Sequence, residues 1–162
     1  NNISFSVNSS IERRPGFMQW VDVVDGSDGR FSDSDGSYDI VYAKTKRSQA
    51  NTKLRMNIAF NSRMTFEAFY QPFNVDMNYE DYYRLDEQNS FKTSSFNYSE
   101  NKNFEINNQR GTFVYRWEYR PGSLLYVVYN LNDNNYYSDQ DGEWSQSKSN
   151  SLFLKFDYFF QS

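Results

Sequence analysis

Glu80 and Asp81 stand side by side within Asn78–Arg84, a run that also holds Tyr79, Tyr82 and Tyr83. A glycosidase needs two carboxyls about 5–9.5 Å apart across a sugar. Adjacent acids in so acidic a stretch do not by themselves supply that spacing. The chain contains no histidine, which excludes a Ser-His-Asp or Cys-His site within it and removes the commonest zinc ligand. Any hydrolysis would run on carboxylates alone. The tyrosines read differently. Tyr79, Tyr82 and Tyr83, with Tyr136 and Tyr137 further on, sit among acids and amides. Aromatic faces beside hydrogen-bonding groups suit sugars when they are presented on loops; the same residues can also simply pack loops against one another.

Three further stretches carry metal-like chemistry. Asp25-Gly26-Ser27-Asp28-Gly29 and Asp33-Ser34-Asp35-Gly36 resemble half of a calcium loop, as does Asp139-Gln140-Asp141-Gly142-Glu143. Calcium takes six to eight oxygens, with glycine permitting the turn. Asp33, Asp35, Asp139 and Asp141 are the candidate ligands, but no stretch completes the twelve-residue pattern with its distal glutamate. Solvated acidic loops are the alternative, and no other cofactor is indicated.

The remaining charges lie in alternating segments. In Gly111–Asn130, Phe113, Tyr115, Trp117 and Tyr119 alternate with Val114, Arg116, Glu118 and Arg120. A period of two marks a strand whose faces meet different surroundings. Pro121-Gly122 reverses the chain, proline presetting φ and glycine accepting a positive one. Leu54, Met56, Ile58 and Phe60 likewise oppose Lys53, Arg55 and Asn57. Across a tight turn at Asn61-Ser62-Arg63, Met64, Phe66 and Ala68 oppose Thr65 and Glu67. Leu152, Leu154, Phe156, Tyr158 and Phe160 alternate with Phe153, Lys155, Asp157 and Phe159. Ile3–Ile11 and Phe17–Asp25 complete seven strands, with a turn at Arg13-Arg14-Pro15-Gly16 between them. Pro72 is expected to end its strand, since it cannot donate to a ladder.

The connections alternate in length. Those near 13–16, 61–63 and 121–122 are short; those near 26–48, 74–110 and 131–150 are long and polar. Outer-membrane barrels alternate in this way, with short periplasmic turns and long extracellular loops. The expected fold is therefore all-β, an antiparallel transmembrane β-barrel; a soluble β-sandwich is the alternative. Lipid would meet Leu54, Met56, Ile58, Phe60, Tyr115, Trp117, Leu152, Leu154, Phe156 and Tyr158. Arg55, Glu67, Arg116, Glu118, Arg120, Lys155 and Asp157 would face the lumen, either as a channel wall or as salt bridges bracing a narrow interior. Seven strands are too few to close, so residues 1–162 are expected to form the C-terminal portion of a larger barrel.

Composition agrees. Aromatics reach 20% of the 162 residues while mean hydropathy is −0.90, as expected of strands that bury one face only. No apolar run approaches the roughly 20 residues of a spanning helix. A net charge of −4 argues against a nucleic-acid partner. The absence of cysteine excludes a disulfide scaffold,. An initial Asn rather than Met suggests a processed product or a piece of a longer chain.

Two segments carry a resemblance. Thr52–Phe73, TKLRMNIAFNSRMTFEAFYQPF, and Arg116–Ser123, RWEYRPGS, are similar to segments of a family of Gram-negative outer-membrane proteins, the domain of unknown function 5916; the closing LFLKFDYFF resembles its last strand. The similarity is best from about Tyr38 to Phe160, and Gln161-Ser162 after the final aromatic is a departure. The resemblance implies a barrel in the cell outer membrane, with extracellular loops and a periplasmic C-terminus, preceded in members by a carbohydrate-binding-like β-domain. It implies no chemistry. The partners expected are outer-membrane lipid, the barrel-insertion machinery and a glycan. Function is expected to be surface binding or passage of a solute related to glycans. A structural anchor displaying the N-terminal domain and a rim-located carboxylate hydrolase are the alternatives.

Overall fold

The computed structural model describes residues 2–26 and 28–160, so Ser27 of the first acidic loop and the Gln161-Ser162 departure lie outside the described residues. Eight strands follow in order: β1 (Asn2–Asp25), β2 (Phe31–Ser32), β3 (Ser37–Asn61), β4 (Met64–Leu85), β5 (Thr93–Ser95), β6 (Phe104–Arg120), β7 (Ser123–Ser138) and β8 (Glu143–Asp157). There is no helix among the described residues. All pairings are antiparallel in one sheet of order β1-β3-β4-β6-β7-β8, with β2 beside β3 and β5 beside β4. The sheet is not closed: β1 and β8 are its two edges.

The strands are longer than the sequence suggests. Most of 37–48, 74–85, 104–110, 131–138 and 143–150 is strand rather than loop. Asn, Ser and Asp have weak strand preference on their own, yet a ladder bonded on both sides holds them: Asn107 pairs both Asn74 and Asn135. What remains between the long strands, Gly26 with residues 28–36, 86–103 and 139–142, including β2 and β5, lies at one end, here called distal. The tight turns at 62–63 and 121–122 lie at the opposite, proximal end.

Arg13-Arg14-Pro15-Gly16 does not reverse the chain. β1 runs straight through it, with a bulge between Arg14 and Phe17 and Gly16 at φ 72°. Pro-Gly chemistry suits a bulge as well as a turn, and an edge strand tolerates a proline that donates nothing. The segments expected as two strands are therefore one, giving six long strands. Pro72 does not end its strand either. It lies inside β4 opposite Gln109, and the β3–β4 ladder skips Thr52 and Lys53, where the missing N–H falls.

Register sorts every side chain onto one of two faces, since directly opposed residues point the same way. On the first face lie the ranks Ile3–Ile58–Phe66–Tyr115–Val127–Leu154, Phe5–Met56–Ala68–Phe113–Tyr129–Leu152 and Val7–Leu54–Tyr70–Gly111–Leu131–Asn150. Trp117, Leu125 and Phe156 form a further rank toward the proximal turns. This face is an apolar band crossing all six long strands. The strand residues expected on the apolar side share it, with Phe60 at a bulge beside Asn61. The opposite face at the same level is Ser4–Asn57–Glu67–Val114–Val128–Phe153 and Ser6–Arg55–Phe69–Thr112–Asn130–Ser151.

No second layer covers the band among the described residues. Phe5 is 64% exposed and Leu154 60%, and among the described residues the buried apolar side chains are Phe31, Val41, Ala43 and Met77, toward the distal end. A sandwich would bury such ranks between two sheets; this architecture is a single sheet.

Candidate ligand-binding face

Val41, Ala43, Thr45 and Met77 are buried on the polar face toward its distal end, where a strap formed by residues 96–102 crosses it. The amide of Phe96 donates to the Tyr82 carbonyl at 3.0 Å. Tyr98 then packs on the Tyr82 ring with centroids 4.9 Å apart, and its hydroxyl donates to Asp22 Oδ2 of β1 at 2.5 Å. Val41, opposite Asp22, and Ala43, opposite Tyr82, are shut off from water below it.

The strap shows that the sheet is rolled. The Lys102 ammonium lies 3.8 Å from Asp22 Oδ2 and donates to Gln140 Oε1 in the β7–β8 turn at 3.3 Å. β1 and β7 are four places apart in the sheet, about 19 Å if it were flat. One ammonium can reach both only if the distal end curls toward the polar face. The polar face is concave there and the apolar face convex.

The electrostatics of the strap, distal to the apolar ranks, follow from its contacts. The Tyr98 hydroxyl holds the Asp22 carboxyl below its ordinary range, with the Val23 amide and Lys102 adding to the effect. Burial, together with Asp22 as acceptor, pushes Tyr98 up to about 12. Glu100 holds the Lys102 ammonium charged well above its usual range. Burial likewise raises Tyr79 and Tyr82.

The five tyrosines are brought together only in part, and they stand on strands rather than loops. Tyr79, Tyr82 and Tyr136 share the concave face, where Tyr136 stacks on Phe104 at 5.7 Å. Tyr83 and Tyr137 point to the other side, under the Lys44 ammonium at 5.2 Å and against Trp144 at 5.3 Å. Glu80 and Asp81 occupy a bulge in β4 and are ion-paired with Lys46 at 2.6 Å and Lys44 at 3.6 Å.

Of the charged set, Arg55, Glu67, Arg116 and Lys155 lie on the concave face. Asp157 pairs with Lys155 at 3.1 Å. Glu118 serves the turn, accepting the Gly122 amide at 2.9 Å. Arg120 follows a bulge in the β6–β7 ladder, and its guanidinium donates to the Tyr158 hydroxyl at 3.0 Å. Among the described residues, Arg55, Glu67 and Arg116 have no ion-pair partner, and Arg55 rests over the Phe69 ring at 5.4 Å.

The acidic loops remain apart. Asp33 accepts the Asp35 amide at 2.9 Å, and Asp139 accepts the amides of Asn101 and Asn103 at 3.0 and 3.1 Å. No three carboxylates gather into a metal site among the described residues.

Two hollows lie along the concave face. One, of about 410 Å³, is lined by Arg55, Asn57, Glu67, Phe69, Thr112 and Val114 along with Ala68. The other, of about 230 Å³, is lined by Gln71, Phe73, Asn108 and Arg110. Sequence reasoning missed Asn108 and Arg110 because 74–110 reads as loop. The weak alternation of Phe104, Ile106, Asn108 and Arg110 was the signal that could have found them.

No curated protein and no solved structure matches the chain. The family model of the domain of unknown function DUF5916 matches residues 1–161, and the chain belongs to that family.

Proposed function

We propose that this sheet is part of an outer-membrane β-barrel that binds or passes a solute related to glycans. The observation that carries the reading is the uncovered apolar band crossing six strands, backed by a polar face. Such a band costs free energy in water at about 25 cal/mol per Å² and is at home against lipid. The edges β1 and β8 carry unpaired backbone groups, which a membrane tolerates only when further strands close the ring. In this reading the proximal turns face the periplasm and the distal loops the exterior. Tyr79, Tyr82 and Tyr136 then line the mouth, where aromatic faces could hold sugar rings.

A second reading has one observation in its favour. The strap at 96–102 crosses the concave face, which suits a plugged barrel that only anchors a preceding domain. Planar-bilayer recording on the full-length protein separates the two. Conductance that neutral or acidic oligosaccharides block supports the solute pathway; a silent bilayer together with no sugar binding leaves the anchor.

A further inference from the structure

We propose that the concave face between Arg55 and Arg110 binds an anionic saccharide, one bearing carboxylate or sulfate groups. The inference rests on the solute-binding reading above and names the class of solute.

The first argument is charge segregation. The chain carries a net charge of −4, yet the ranks around the two hollows hold Lys53, Arg55, Arg110 and Arg116 against the single acid Glu67. Lys155 lies on the same face with Asp157 as its own counter-ion. The acids are concentrated at the distal end, in Asp22, Asp39, Glu80, Asp81, Asp86, Glu87, Glu100 and Asp139.

Pairing sharpens the contrast. Lys44, Lys46, Lys92, Lys102, Lys148 and Lys155 each have a carboxylate within 4.0 Å. Among the described residues Lys53 has none, and neither have Arg55, Arg110 and Arg116. Four of the seven cations without an ion-pair partner among the described residues thus lie around the hollows, while Arg13, Arg63 and Arg120 lie at the β1 bulge and the proximal turns.

The neighbouring groups select a sugar over a bare anion. A guanidinium presents a planar fork that takes carboxylate or sulfate through two parallel hydrogen bonds. Phe73 in the smaller hollow offers a ring face to sugar C–H groups,, while the Phe69 ring in the larger one supports the Arg55 guanidinium from below,. Amides sit between them. Gln71 donates its NH₂ to Asn51 at 2.8 Å, leaving its oxygen as an acceptor. Asn108 accepts the Asn135 amide at 3.2 Å, leaving its NH₂ as a donor. The hollows adjoin, because Phe69 and Gln71 are two residues apart on β4 and Thr112 and Arg110 two apart on β6. Arg55 and Arg110 can then take different residues of one oligosaccharide.

The test is calorimetry on the detergent-solubilised full-length protein with three probes of equal length: a galacturonate hexamer, a sulfated hexose hexamer and the unsulfated parent. Both acidic probes are expected to bind at least 10-fold tighter than the neutral one, with affinity falling as salt rises. Arg55→Gln with Arg110→Gln should lose at least 10-fold, the paired lysine variants should recover part of it, and Arg13→Gln on the other face should stay within 2-fold. Binding by only one acidic probe fixes which anion is recognised. Equal binding of the neutral hexamer, unaffected by the double variant, overturns the inference while solute binding stands. Binding of none of the three overturns both.

Discussion

The Tyr98 hydroxyl donates a 2.5 Å hydrogen bond to the carboxylate of Asp22, 76 residues away in sequence and on an edge strand of the sheet. Together with Lys102, which also reaches Asp22, this contact ties the connection between β4 and β6 across the concave face. It also defines a pH window for the strap. The folded pKa of Tyr98 is about 12 against an ordinary 10.0. Its contribution is complete below pH 10 and is lost as pH rises toward 12. The carboxyl of Asp22 is lowered instead, so its contribution is present above the ordinary carboxylate range and is lost on acidification through the folded value. Hydrogen exchange of residues 96–102 should therefore be slow and flat from about pH 5 to 9, after correction for intrinsic rates, and should rise above pH 10.

Removing either partner should free the strap without unfolding the sheet. A hydrogen bond to a charged group contributes about 1.5–3 kcal/mol when buried, and partial exposure here reduces that toward about 1 kcal/mol. Tyr98→Phe and Asp22→Asn should each raise exchange of 96–102 by roughly fivefold, with β6 and β7 unaffected. Equal loosening of the whole sheet would show that the strap is part of the global fold.

The two faces should respond oppositely to charge. Met56 lies in the middle of the apolar band and Asn57 beside it on the concave face. Met56→Lys should cost about 2–4 kcal/mol of folding in lipid vesicles, the midplane value for lysine, while Asn57→Lys should cost under about 1 kcal/mol. Urea titration of both variants in vesicles measures the difference.

The proximal turn has a narrower requirement. Gly122 sits at φ 76°, and a Cβ there would lie 3.1 Å from Cγ of the Phe159 ring. Gly122→Ala should cost about 1–2 kcal/mol from the left-handed backbone alone. A shift in the denaturation midpoint with an unchanged slope would mark it as a stability effect.

Assembly offers another test. Phe156 and Phe160 are 67% and 83% exposed, with Tyr158 between them edge-on to the Phe160 ring at 4.5 Å. If these aromatics are the signal read by the insertion machinery, Phe160→Asp should keep the protein out of the outer membrane, as fractionation would show. Normal accumulation there would leave them as ordinary apolar surface.

The alternation in Lys53–Phe60, Phe113–Arg120 and Leu152–Phe160 made the apolar face legible, because a period of two needs no knowledge of partners. The extent of the strands was not legible. Asn, Ser and Gln in 104–110 and 131–138 become strand through pairing on both sides, information a single segment does not hold. Pro15-Gly16 serves a turn and an edge bulge equally, and only the register of β1 against β3 decides between them. The strap depends on contacts between residues far apart in sequence. Arg55 was visible as a concave-face charge, whereas Arg110 was hidden in the segment read as loop.

The central claim is that the apolar face meets lipid while the concave face meets water, and β7 tests it most directly. Leu124–Asn130 reads LLYVVYN, so hydropathy alone predicts little alternation there. Because the chain has no cysteine, single cysteines at 125 through 130 can carry spin labels in the full-length protein in lipid vesicles. Collision with oxygen, which partitions into lipid, should be high at 125, 127 and 129. Collision with a water-soluble nickel chelate should be high at 126, 128 and 130. Accessibility to both reagents with no period of two, or oxygen access on the concave side instead, would contradict the account.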